Sequence, residues 1–132
     1  MLLELRRRIA SIARYLDRRL IYHTFDRDIL ERGKYGFAIR DCWDLDIYLN
    51  TVISNAIKRL RYNHMGVPAR LCDDGGVDEG EKRWCAILDE IASGLEAGNA
   101  AMDEHADAGD PRWEQHKRAL EMLVEYWYNL GD

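Results

Sequence analysis

The sequence predicts an all-α fold: one domain, residues 1–132, built as a bundle of about four helices. Three observations carry that reading. Apolar residues recur every three or four positions through most of the chain. Only two prolines interrupt a composition rich in Leu, Ile, Ala, Arg and Glu, which favours helix over sheet. With 47% hydrophobic and 33% charged residues, the length supports one packed core and argues against disorder.

The first helix is expected over residues 2–22 and, with an extension, forms a basic segment up to residue 34. Leu2, Leu5, Ile9, Ile12, Ala13, Leu16 and Leu20 draw its apolar stripe, and Arg6, Arg7, Arg8, Arg14, Arg18 and Arg19 fill the remainder. Glu4 and Arg6–Arg8 interrupt what would have to be the apolar heart of an export signal or membrane span, so neither is expected. Residues 23–39 read as a helical extension to Glu31 followed by a loop at Gly33 and Gly36.

The second helix is expected to start at Asp41, with Asp44 completing a capping-box-like pair. Its core stripe is Leu45, Leu49, Val52, Ile53, Ala56, Ile57 and Leu60. Acids lead and Lys58, Arg59 and Arg61 close, as the helix dipole prefers. Gly66 is placed as the C-terminal cap, and Pro68 forbids resumption. "DDGGVDEG" reads as a flexible connection to a third helix over about residues 81–97, with Trp84, Ile87, Leu88, Ile91 and Leu95 on one face. Gly94 and Gly98 mark a close backbone crossing or a fraying end. After a turn at "DEHADAGD", Asp110 caps the fourth helix and Pro111 opens it, with Trp113, Leu120, Leu123, Val124 and Trp127 as its stripe.

Charge is unevenly spread. Residues 1–70 carry 14 Lys/Arg against 8 Asp/Glu, and residues 71–132 carry 5 against 16. Such halves are expected to meet, within one chain or between subunits of a homo-oligomer, ahead of any nucleic-acid contact. Cys42, Cys72 and Cys85 are odd in number and widely spaced, which points away from a disulfide scaffold and toward the cytosol.

Helix starting leaves some residues unexplained. Asp46 lies beside the apolar stripe of the second helix and is expected to be partly buried, held by an arginine, a backbone donor or a ligand. Asp89 has the same character on the third helix, and Arg40, Arg59 or Arg61 are the expected donors. Trp43 stands off the stripe, against the 30s loop or a partner. Arg40, Trp43, Asp46, Asn50 and Asp89 are therefore the candidate ligand-binding residues. Asp46 and Asp89 facing one another would give a divalent metal oxygen ligands, but the chain shows at most one inward carboxylate per turn rather than E-x-x-E and E-x-x-D spacings. The four histidines lack H-x-x-x-H spacing, and no P-loop, G-x-S-x-G or G-x-G-x-x-G is present. No cofactor or metal site is implied. Arg7, Arg8, Arg14 and Arg18 form the face that would meet phosphates in a nucleic-acid reading.

From Tyr35 onward the chain resembles a group of small helical proteins encoded by tailed phages and prophages. The resemblance rests on Tyr35-Gly36-Phe37, then Asp41, Trp43 and Leu45-Asp46 opening a helix, Gly66-Val67-Pro68 ending it, Trp84 with Ile87-Leu88-Asp89-Glu90-Ile91, and the final Gly131-Asp132. Val67 stands where the group has an aromatic residue, and Gly131 where it has Trp. The resemblance implies a phage or prophage source and a helical protein acting in the host cytosol. With catalytic motifs missing, the expected role is a non-enzymatic binding protein that blunts host antiviral defence by occupying a host protein or trapping a nucleotide signal. The alternatives are a metal-dependent nucleotide-processing enzyme on Asp46 and Asp89, or a nucleic-acid-associated protein using the basic first helix.

Overall fold

The computed structural model describes residues 24–73 and 75–131, and the expected first helix over residues 2–22 lies outside them. Among the described residues the architecture is all-α: four α-helices and three short 3-10 turns. Contacts divide the chain into two compact units, one ending at Leu45 and one running on from Asp46. No helix among the described residues is long and apolar enough to cross a membrane.

The first unit contains α1, Thr24–Tyr35, and a 3-10 turn over Ile39–Cys42. The helix runs through Gly33, where a loop was expected, and stops at Gly36, whose φ of 83° only glycine adopts without strain. Asp41 does not cap the second helix. It sits third in the 3-10 turn, where Oδ2 accepts from the Ala38 amide at 2.8 Å and from Arg32 Nε at 2.8 Å, while Oδ1 accepts from Arg32 Nη2 at 2.5 Å. That two-pronged pair clamps α1 to the turn and holds the buried Asp41 carboxyl below the usual carboxylate range. The D-x-x-D spacing fits a cap for either segment, and the nearby arginine decides between them.

Helix α2 is Leu45–Asn63 and belongs to the second unit from Asp46 on, together with α3, Gly76–Asp103, and α4, Pro111–Glu125. Helix α2 starts with Leu45, directly after Asp44, and ends before Gly66, which is not in the left-handed region. Side chains finish the helix instead. Asn63 Nδ2 donates to the Arg59 carbonyl at 2.8 Å, and His64 Nδ1 lies 2.9 Å from that of Arg61. Helix α3 begins five residues earlier than expected, so Asp78 and Glu79 occupy its first turn, where the dipole favours acids.

Helix α3 is the centre of this unit. Trp84, Leu88, Ile91 and Leu95 are fully buried and meet Ile57 of α2, Ala119 and Leu123 of α4, and Tyr126. Burying each large side chain contributes roughly 1.5–3 kcal/mol. The Trp84 and Tyr126 rings lie 5.5 Å apart and tilted, and the Arg70 guanidinium covers the Tyr126 ring at 4.1 Å. Gly94 and Gly98 of α3 do mark a close crossing. A Cβ on Gly94 would sit 2.4 Å from Ala119 Cβ, and one on Gly98 would sit 2.4 Å from the His116 ring. Asp110 caps α4 as the sequence predicts, accepting from the Arg112 amide at 2.9 Å, with Pro111 at the first turn.

The charge split is met within the chain. Lys58 pairs with Glu96, Arg61 with Asp89 at 2.6 Å, and Arg70 with Glu125 at 3.4 Å, each joining the basic half to the acidic half. Cys42, Cys72 and Cys85 are all free thiols.

Candidate binding groove

The expected core stripe of α2 is only partly buried. Ile57 is 3% exposed, whereas Leu49 and Val52 are 44% and 45% exposed. The helix turns Asn50, Ser54 and Ile57 inward, so the apolar arc around Leu49, Val52 and Ala56 looks out. Between that arc and α4 lies a groove of about 520 Å³. Val52, Ile53, Ala56 and Leu60 form one wall, and Leu123, Trp127 and Leu130 form the other. Trp127 was expected in the core; it lies instead in a 3-10 turn beyond α4, 56% exposed at the end of the groove.

A hydrogen-bonded network fixes α2 at one end of the groove. Asn50 Nδ2 donates to Asn99 Oδ1 at 2.9 Å, and Asn99 Nδ2 donates to the Ile47 carbonyl at 3.2 Å and to Thr51 Oγ1 at 3.0 Å. His116 Nε2 lies 3.3 Å from Asn50 Oδ1. With the Asn50 amide nitrogen committed to Asn99, Nε2–H of His116 is the donor. Burial lowers the His116 pKa, and the Asp46 carboxylate partly offsets that. With the buried Asn50 at its centre, this part-buried network specifies how α2 docks on α3 and α4.

The candidate residues from the sequence fall in different places. Asn50 is buried in the network just described. Asp46 is exposed, contrary to expectation, with Oδ1 accepting only from the next amide, that of Ile47, at 2.9 Å. Asp89 is also exposed and takes Arg61 as its donor, one of the three arginines expected. Arg61 lies fifteen residues beyond Asp46 on α2, about 22 Å along the axis. Asp46 and Asp89 therefore do not face one another, and no group of metal-ligating side chains occurs among the described residues. In the first unit Arg40 stands 3.7 Å from Asp28, and Trp43 is 80% exposed. Arg7, Arg8, Arg14 and Arg18 lie outside the described residues.

The apolar stripe of α2 was legible in the sequence, but the part of it that stays open beside α4 was not. The partnership of Asn99 and His116 with Asn50 had no sequence signal, because it joins residues 49 and 66 positions apart. No family model, curated protein or solved structure matches this chain.

Proposed function

We propose that this chain is a non-enzymatic binding protein whose working surface is the apolar groove between α2 and α4, and that it acts by seating an amphipathic helix of a partner protein there. The observation that carries this reading is the open stripe of α2. Val52 keeps nearly half its surface in water facing a second apolar wall, Leu49 one turn before it is as exposed, and contiguous exposed apolar surface of this kind is where proteins meet partners. A helix laid in such a groove buries residues at i, i+3, i+4 and i+7. In the phage setting that the sequence resemblance implies, the partner is a host cytosolic protein, and occupying it would blunt a host defence.

The test is a photo-crosslinking amino acid placed at Val52, with Ala86 on α3, exposed and outside the groove, as control position. The reading expects one discrete host adduct from position 52 and none from position 86. Adducts of equal yield from both positions would defeat it.

A further inference from the structure

One wall of the groove is itself the kind of helix that fills such a groove. A helix of that kind presents apolar residues at i, i+3, i+4 and i+7. Helix α2 carries that quartet in Leu49, Val52, Ile53 and Ala56, of which Ile53 is half-buried and the other three are exposed. The quartet is symmetric about its midpoint. Against a second α2 turned end for end, Leu49 meets Ala56 and Val52 meets Ile53, so a larger side chain faces a smaller one in each layer. The same register brings Asp46 level with Arg59. Both are exposed, and among the described residues neither forms an ion pair. Asp46 accepts only from the Ile47 amide, and Arg59 borders the groove. Because acids lead α2 and bases close it, an antiparallel mate matches it in charge and in dipole, and a parallel one does not.

Resting on the proposed groove function, we infer that a second copy of this chain covers the groove until a partner helix displaces it. The two α2 helices run antiparallel about a two-fold axis between residues 52 and 53, and each also meets the Leu123 and Trp127 wall of the other copy. The open surface is large enough. Trp127 is 56% exposed, and Leu120, one turn before Leu123, is 41% exposed. With Leu49 and the α2 wall, each copy offers on the order of 500 Å² of apolar surface. A standard interface takes about 800 Å² per partner, and in homodimers roughly two thirds of it is apolar. Dimer and partner complex compete for one surface. The free protein thus hides its apolar face at high concentration and opens it on dilution or on meeting a helix that binds more tightly.

The test is sedimentation equilibrium of the purified full chain from about 1 to about 200 µM. A reversible dimer is expected, with Val52→Asp monomeric throughout at a Tm within a few degrees of wild type. Asp46→Arg and Arg59→Asp, both at exposed positions, should each weaken the dimer roughly tenfold at low salt. An equimolar mixture of those two variants should regain it as a heterodimer. The photo-crosslinker at position 52, in purified protein alone, should join two chains through residues within a turn of Ile53. A wild type that stays monomeric over the whole range, a dimer untouched by Val52→Asp, or a chain–chain adduct outside the groove walls overturns the inference. The host adduct from position 52 keeps this outcome apart from the groove reading. A monomeric chain that still yields the host adduct loses the second copy and keeps the groove. A dimer that forms with no host adduct overturns the partner helix, and with it the displacement, leaving a permanent dimer.

Discussion

Gly94→Ala puts a methyl group where α3 and α4 cross. The new carbon would sit 2.4 Å from Ala119 Cβ and 2.8 Å from the Gln115 carbonyl oxygen. Carbon–carbon contacts are comfortable near 3.5–4.0 Å, so the helices must part by roughly 1 Å. Alanine improves helix propensity by about 0.8–1.0 kcal/mol, and overpacking costs about 1–3 kcal/mol. Because the close neighbours include backbone of the facing helix, the second effect should win, leaving a net loss of roughly 1–2 kcal/mol. For a unit of this size that lowers Tm by roughly 4–16 °C. Gly33→Ala supplies the control: it lies in α1 with nothing within 4 Å of its would-be Cβ, and should stabilise by about 0.5–1 kcal/mol. Urea and thermal unfolding of both variants, with Ala119→Gly added to the first, measure the effect. If Gly94→Ala stabilises as Gly33→Ala does, or if Ala119→Gly restores nothing, the crossing is not as close as described.

Other outcomes follow from the same structure. Asp46→Asn should change stability by less than about 0.5 kcal/mol, since Asp46 is exposed and bonded only to its neighbour's amide; a loss of several kcal/mol in urea unfolding would restore a buried partner. Asn50→Leu should cost roughly 1–3 kcal/mol by leaving Asn99 and His116 without an acceptor or donor, read by chemical denaturation. Stability should fall with acid in two stages. His116, with its folded pKa below the unfolded value, contributes stability that is complete above the ordinary histidine pKa near 6.5 and is lost as pH drops through its lowered value. Asp110, lowered to about 2 chiefly by Arg112, keeps its contribution above the usual carboxylate range and loses it as pH approaches 2. A denaturation midpoint unchanged between pH 7 and 5 in wild type but altered in His116→Gln would contradict the first stage.

The legible part of this fold was its local chemistry. Asp110 and Pro111 announce α4, the Leu88–Ile91–Leu95 stripe announces the buried helix, and the Gly94–Gly98 spacing announces a close crossing, because each depends on residues within a turn or two. What escaped was decided at a distance. Asp41 was drawn into a clamp by Arg32, nine residues back, and so serves a 3-10 turn instead of α2. The stripe of α2 was correctly apolar, yet periodicity alone cannot say how much of a stripe neighbouring helices will cover. Asp46 sits at the border of that stripe, and a small rotation of the helix about its axis carried it into solvent while Asn50 turned in.

The most direct test of the central claim is the affinity of the crosslinked host partner, once purified, for wild-type chain and for Val52→Asp, measured by calorimetry beside the Tm of each. A charge placed on a half-exposed wall leaves the core of α3 untouched but interrupts the apolar channel. The account predicts at least a tenfold weaker complex, about 1.4 kcal/mol, at a Tm within a few degrees of wild type. Equal affinity for the two chains would mean that the partner binds elsewhere and that the groove between α2 and α4 is not the working surface.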